Sequence, residues 1–265
     1  MMLSTELLAF YRQVSQRSLT VVDVETTGSQ PHTNRVTEIS VLRASLADGV
    51  QWQHTHLVNP ETLIPPRIVA FTGITQDMVD AAAPTAQVLP DYLPWLNEGV
   101  LTAHNLEFDY GFLQAEYRRM GTTFARMALD QFCTVQFARL MLPQLRSRSL
   151  PDLVRHFGFQ VGRSHRAEAD TLACWLLAEH LLHEMLSEPD EVLLERFGKQ
   201  WLPLHYAAQI LGCSQEKGRS QLEAAGITYR MVTRFRQTTP MYRRGDVERV
   251  FYEAQGGQQL SLLSE

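Results

Sequence analysis

Residues 19–24, LTVVDV, are a short apolar run bounded by polar residues and followed by Thr-Thr-Gly, the pattern of a buried strand. Two more strand patterns follow at 36–46 and 51–58, with the turn signal Ala47-Asp48-Gly49 between them, so the three predict a meander. The rhythm then changes. NPETLIPPR (59–67) is a proline-rich connection, 76–81 and 86–97 predict helices broken at Pro84, and VLTA (100–103) predicts a fourth strand. Asn105 offers a side-chain cap for a helix running to about Met120. Further helices are expected over roughly 131–141, 149–157 and 167–185, the last with Ala169, Leu172, Leu176 and Leu182 on one stripe. Three antiparallel strands, then strands alternating with helices, indicate an α/β domain built on a mixed sheet flanked by helices.

Five residues carry the chemistry of this domain. Asp23 and Glu25 lie in VVDVETTG (21–28), Asp109 in AHNLEFDYGFL (103–113), and His165 with Asp170 in HRAEAD (165–170). Two positions apart on a strand, Asp23 and Glu25 point to the same sheet face. Asp109 falls in the first turns of its helix, where the macrodipole favours a carboxylate. His165 stands just before the last helix of the domain and Asp170 lies in its opening turns. Taken one at a time, these are a solvated strand edge, a helix starter and a capping histidine. Converging, the carboxylates would repel and raise one another's pKa. A pair of divalent cations removes that repulsion and makes a two-metal site for cleaving phosphodiesters.

In this order and with these flanks, the three segments resemble the exonuclease motifs of the DEDDh family, the group that includes the epsilon proofreading subunit of bacterial replicative DNA polymerase. FTGITQDMV (71–79) and SLPDLVRHFG (149–158) are similar to the family's framework, and the resemblance covers residues 18 to about 186. The spacing His-x-x-x-x-Asp selects the histidine subclass; the tyrosine subclass needs Tyr where this chain has Arg166. The resemblance implies an RNase H-like fold and 3′→5′ removal of mononucleotides. It implies that Asp23, Glu25 and Asp170 hold a catalytic Mg²⁺ or Mn²⁺, that Asp23 bridges to a second ion aided by Asp109, and that His165 is the general base for the attacking water. It also places Thr26 and Thr27 against the 3′-terminal nucleotide, with His104, Asn105 and Phe108 framing its base or sugar. One departure stands out: Thr72 occupies a position where the proofreading subunit carries a histidine.

The rest of the chain has another character. Net charge is −5, yet Lys199 to Arg249 holds nine basic and four acidic residues, so an acidic body precedes a basic module or a solvated basic face. SEPDE, just after Leu186, marks a linker over 187–199. LPLHYAAQILGCSQEKGRSQLEAAGI has the rhythm of helix, Gly-Cys turn and helix, with Ser214 as N-cap of the second. An Arg-rich hairpin and a short helix follow. Residues 200–252 thus resemble a small winged helix-turn-helix domain of the excisionase and MerR type. That resemblance assigns phosphate contacts to Lys217, Arg219, Arg230, Arg234 and Arg236; a packing or dimerisation module is the other reading. A tail over 253–265, flexible at Gly256-Gly257, ends in Gln259-Leu260-Ser261-Leu262-Leu263, which resembles the peptide by which replication and repair proteins dock on the sliding clamp.

Cys133, Cys174 and Cys213 are too few and too scattered for a disulfide framework or a zinc site and fit a reducing compartment. No signal peptide is evident, and the apolar stretch 172–186 is interrupted by Glu179, His180, His183 and Glu184, so no membrane span is expected. The expectation is a soluble cytoplasmic exonuclease acting on DNA in replication, proofreading or repair, with DNA, a polymerase or the clamp as partner. An RNA-trimming exoribonuclease and a non-catalytic DNA-binding adaptor are the alternatives.

Overall fold

After a first helix, α1 (Ser4–Ser15), come the three expected strands, β1 (Leu19–Thr26), β2 (Val36–Ser45) and β3 (Gly49–Leu57). This computed structural model describes residues 1–234 and 237–262. β1 and β2 are buried almost throughout, whereas β3 alternates between half-buried and exposed positions, as an edge strand does. The helices α2 (Pro66–Thr72), α3 (Gln76–Asp80) and α4 (Thr85–Leu96) follow. Next are β4 (Val100–Ala103), α5 (Leu106–Arg119), β5 (Gln131–Cys133), α6 (Thr134–Met141), α7 (Leu150–Phe157) and α8 (Ala167–Ser187). The sheet order is β3-β2-β1-β4-β5, antiparallel from β3 to β1 and parallel from β1 to β5. Val22 and Val24 of β1 pack with Leu89, Tyr92 and Leu96 of α4 and with Phe112 and Leu113 of α5. The alternate positions, Asp23 and Glu25, therefore look to the other face.

Contacts divide the chain into two units, one of residues Tyr11–Ala138 and Arg146–Glu184, which holds the sheet. Inside it, Gly99 makes the tight entry to β4 at φ +57°, and a Cβ there would stand 2.6 Å from the Ser18 carbonyl oxygen. Gly99→Ala is expected to cost about 2 kcal/mol or more in a denaturant melt; an unchanged midpoint would contradict this packing.

The second unit joins Met1–Phe10 and Arg139–Leu145 to the residues from Met185 on. It contains α9 (Asp190–Gly198), β6 (Trp201–Pro203), α10 (Leu204–Ile210), α11 (Gln215–Ala224), β7 (Tyr229–Arg234), β8 (Gln237–Arg243) and α12 (Arg244–Leu262). Its three strands run antiparallel in the order β6-β8-β7. Leu202, Leu204, Ala207, Leu222, Tyr242 and Val247 form its core. Arg244, 2% exposed, donates to the Glu248 carboxylate at 3.0 Å, to Gln200 Oε1 at 2.8 Å and to the Met2 carbonyl at 2.9 Å. Ser4 brings its backbone N–H and its hydroxyl to the same Glu248 oxygen, at 2.8 and 2.9 Å.

Several local expectations are corrected. Residues 131–133 are a strand rather than the start of a helix, because Leu101–Ala103 of β4 pair with them. The proline-rich 59–67 segment leads into α2, with Pro66 in its first turn, where a missing N–H costs nothing. Asn105 sits at φ +78° with no side-chain capping bond, so it turns the chain into α5 through its backbone. The stretch expected as linker, 187–199, carries α9, held by the buried Leu193 and Phe197. α12 runs through Gly256-Gly257 to Leu262. Leu263 and Arg236 lie outside the described residues. Among those described, no helix is long and apolar enough to cross a membrane.

Candidate active site

The pairing of β1 with β4 ends at Val21–Thr102, so the carboxyl end of β1 projects past its parallel neighbour. In open α/β sheets the crevice beyond such strand ends is where ligands bind. Asp23 and Glu25 lie on that projecting stretch, opposite Ser40 and Glu38 of β2. The backbone N–H of Val24, left without a β4 partner, donates to Asp109 Oδ1 at 3.1 Å. That bond draws the opening turn of α5 onto β1 and fixes Asp109, 3% exposed, beside Asp23.

The HRAEAD segment closes the site from the other side. His165 has φ +63°, a left-handed conformation that a non-glycine residue adopts at a cost. Its backbone N–H donates to Asp170 Oδ2 at 3.0 Å, one turn into α8. Ligand atoms of Glu25, His165 and Asp170 lie within 4.8 Å of one another. Burial, then the neighbouring Asp109, Asp170, Glu25 and Glu38, push Asp23 well above the usual carboxylate range. Burial, followed by Asp170 and Glu38, raises Glu25 to about 8. Burial likewise lifts Asp109 to about 8, against the opposing hydrogen bond from Val24. Asp170 is raised by burial and held back by the His165 N–H. Four carboxylates that resist ionising together form an all-oxygen donor set with one imidazole beside it, which suits hard divalent cations such as Mg²⁺ or Mn²⁺.

Three residues that the sequence did not single out complete the site. Glu38, 1% exposed, accepts from Arg166 Nη2 at 2.5 Å and Nε at 3.1 Å, and from the Ala167 backbone N–H at 2.8 Å. It therefore caps α8 and clamps the histidine loop to the sheet. Phe71, at the end of α2 and 55% exposed, places its ring 3.8 Å from that of His165, centroid to centroid. The Arg163 guanidinium lies against Gly73 of the same turn, where a Cβ would meet it at 2.7 Å.

The expected nucleotide contacts are distributed differently. Thr26 and Thr27 are buried beside Glu25; the Thr26 hydroxyl donates to the Gly28 carbonyl at 2.6 Å, and that of Thr27 accepts from the Arg35 N–H at 3.0 Å. Both ring nitrogens of His104 are engaged, by the Thr134 hydroxyl at 2.9 Å and the Arg148 carbonyl at 2.8 Å. Asn105 is exposed, and the half-buried Phe108 packs on Phe112, with ring centroids 4.9 Å apart.

A family model described as "Exonuclease" (RNase_T) matches residues 20–177, which hold all five motif residues together with Glu38 and Phe71. The chain belongs to this exonuclease family. Membership in an exonuclease family favours an enzyme over a non-catalytic adaptor. A DNA polymerase III PolC-type of Clostridium perfringens is 31% identical over 195 residues, which are 70% of this chain and 13% of that polymerase. The exonuclease thus spans about an eighth of its polymerase relative's length. Two solved structures share the sheet architecture at 20% identity. E. coli exonuclease I in complex with a dT13 oligonucleotide has a TM-score of 0.57, over 62% of this chain and 40% of that one. The nuclease domain of 3′hExo, a DEDDh family member bound to rAMP, has a TM-score of 0.54, over 63% of this chain and 92% of that one. The family match ends at residue 177, so α9 to α12 lie beyond it.

Proposed function

We propose that this exonuclease releases mononucleotides from the 3′ ends of DNA by metal-dependent hydrolysis. The observation that carries the reading is the convergence of Glu25, His165 and Asp170 within 4.8 Å, beside the buried Asp23 and Asp109. Asp23, Glu25 and Asp170 would hold one Mg²⁺ or Mn²⁺, and Asp23 with Asp109 a second. Bound there, the two ions would supply charge stabilisation for the attacking and leaving oxygens. His165 takes the proton from the water that attacks the terminal phosphodiester. Asp170, by accepting the His165 backbone N–H, holds that imidazole at the edge of the carboxylate cluster. Glu38 and Arg166 keep the loop from lifting.

The basic module serves as a DNA contact in this reading. Lys217 and Arg219 are exposed on α11, which Ser214 caps by accepting from the Lys217 N–H at 3.3 Å. The helix pair α10–α11 with the β7–β8 hairpin supports a winged helix-turn-helix arrangement, with Arg230 and Arg234 in β7 and Arg236 as a further proposed phosphate contact. Gln259–Leu263 is the proposed clamp-docking peptide. A role in replication, with proofreading or repair as its pathway, follows the polymerase relative; three free cysteines suit the cytoplasm.

The test is degradation of matched 3′-end substrates with Mg²⁺: single-stranded DNA, duplex DNA with a mismatched end, and RNA. Stepwise shortening of DNA is expected. Asp23→Ala should slow it by at least about a thousandfold, roughly 4 kcal/mol of barrier, with DNA binding nearly intact. Preferential loss of RNA would replace the DNA reading with the exoribonuclease one.

A further inference from the structure

The outer face of the small sheet carries a cluster of a different kind. Trp201 of β6 is in register with Arg243 of β8, and Met241, two positions away on β8, is in register with Arg230 of β7. Side chains at these positions share one face, while the intervening Leu202 and Tyr242 turn into the core. The guanidinium groups of Arg230 and Arg243 both lie over the Trp201 ring, 4.2 and 4.1 Å from its centroid. Arg243 is steadied further by donating to the Lys199 carbonyl.

Two like charges have been brought together on one indole, and that arrangement is costly. Burial and the neighbouring Arg243 both act to lower the Arg230 pKa. Elsewhere in this unit Arg196, Lys199, Arg244 and Arg249 each pair with a glutamate. Neither Arg230 nor Arg243 has a carboxylate partner among the described residues. Stacking on tryptophan holds an arginine in place without using up its outer N–H donors. Arg243 also lines a cavity of about 540 Å³ with Lys199, Arg196 and Glu195.

We propose that Trp201, Arg230 and Arg243 form a preorganised phosphate-binding subsite for a strand of DNA, with Lys199 at its border. Two guanidinium groups held on one indole without carboxylate partners leave their outer N–H donors available to the repeating phosphates of a nucleic-acid backbone. This places a DNA contact on the strand face of the module as well as on its helix pair. It rests on the nuclease reading only for the nature of the polymer.

The test uses the full chain in EDTA, with a fluorescein-labelled single-stranded oligonucleotide of about 20 nucleotides and anisotropy read across a salt series. Arg230→Gln with Arg243→Gln should raise Kd about tenfold and make the salt slope shallower by about 1.4, the value for two lost phosphate contacts at about 0.7 each. Arg230→Gln alone, at an exposed side chain, should give half that change in slope and guards against misfolding of the double variant. Hydrolysis of the nitrophenyl ester of thymidine 5′-monophosphate by the parent protein with Mn²⁺ tests the nuclease reading separately. Wild-type affinity and slope in both variants would overturn the subsite. So would a loss confined to an RNA of the same sequence. If the parent fails to cleave the ester, the nuclease reading fails while the metal-free binding result still decides the subsite.

Discussion

Without divalent cations, the protein is expected to become less stable as pH rises from about 5 to about 8. Glu25 is raised from 4.5 to about 8 and Asp109 from 3.8 to about 8, in both cases first by burial. In the unfolded chain these groups titrate near 4. A carboxyl with a raised native pKa stabilises the fold fully below its unfolded value, and that stabilisation is lost as pH climbs towards its native value. Between the two, the native state binds more protons than the unfolded one, so the slope of stability against pH is negative. Two such groups give at most about 2.7 kcal/mol per pH unit. Mutual coupling spreads the titration, and a fall in Tm of about 10 °C between pH 5.5 and 8 is a fair expectation at about 2–4 °C per kcal/mol. Mg²⁺ or Mn²⁺ should restore the loss by binding the native state alone. Binding should also expel protons, which calorimetry in buffers of different ionisation enthalpy would count. Asp109→Asn should flatten the profile and abolish activity. A metal-free Tm that rises from pH 5.5 to 8 would mean that the carboxylates do not converge as described.

The second large effect is expected at Glu38, which touches no reacting atom. Glu38→Ala removes the acceptor for Arg166 and for the Ala167 N–H together. Breaking a buried ion pair by deleting one partner costs about 3–5 kcal/mol, and the Arg166 side chain, 36% exposed, can regain water, which favours the lower figure. The freed loop carries His165 and leads into Asp170, so kcat should fall about a hundredfold or more, on the scale that small misplacements exact, while KM changes little. Glu38 also pushes Glu25 and Asp23 towards the protonated form, and removing it relieves that push. The Arg166 guanidinium opposes that push at Glu25, more weakly than Glu38 exerts it. Glu38→Ala combined with Arg166→Ala should then be no worse than Glu38→Ala alone. Unchanged kcat with a lowered Tm would reduce Glu38 to a structural role.

Much of the sheet and the five motif residues could be read from the sequence, because strand alternation and helix starts are local signals. Asp23 and Glu25 share a face by spacing alone. Their meeting with Glu38 depends on the β1–β2 register, which no local pattern announces. A glutamate in the apolar run VTEISVL was the only hint, since a buried charge there must have a partner. Phe71 opens the FTGITQDMV segment that resembles the family framework, but its own role was not legible, because only the tertiary fold lays this last-turn residue of α2 against His165. Three-residue β5 was swallowed by the helical pattern after it, because so short a strand is defined by β4 and not by its own residues. The α9 segment is led in by SEPDE (187–191), polar enough to pass for a linker, although Leu193 and Phe197, about one and two turns into the helix, are core.

The bonds from Ser4 to Glu248 and from Arg244 to Met2 join positions more than 240 residues apart in sequence. On a ribosome, residues 2–4 emerge long before these partners and must wait for more than 240 further residues. The sheet-bearing unit ends at Glu184, and its strands depend on nothing later. It is therefore free to fold first, and closing the outer unit then fixes one very long loop whose interior is already ordered. Because the entropy of closing a flexible loop grows with the number of free residues, prior folding of the inserted unit shortens the effective loop. The catalytic body is thus free to assemble before the basic module that we propose holds its DNA.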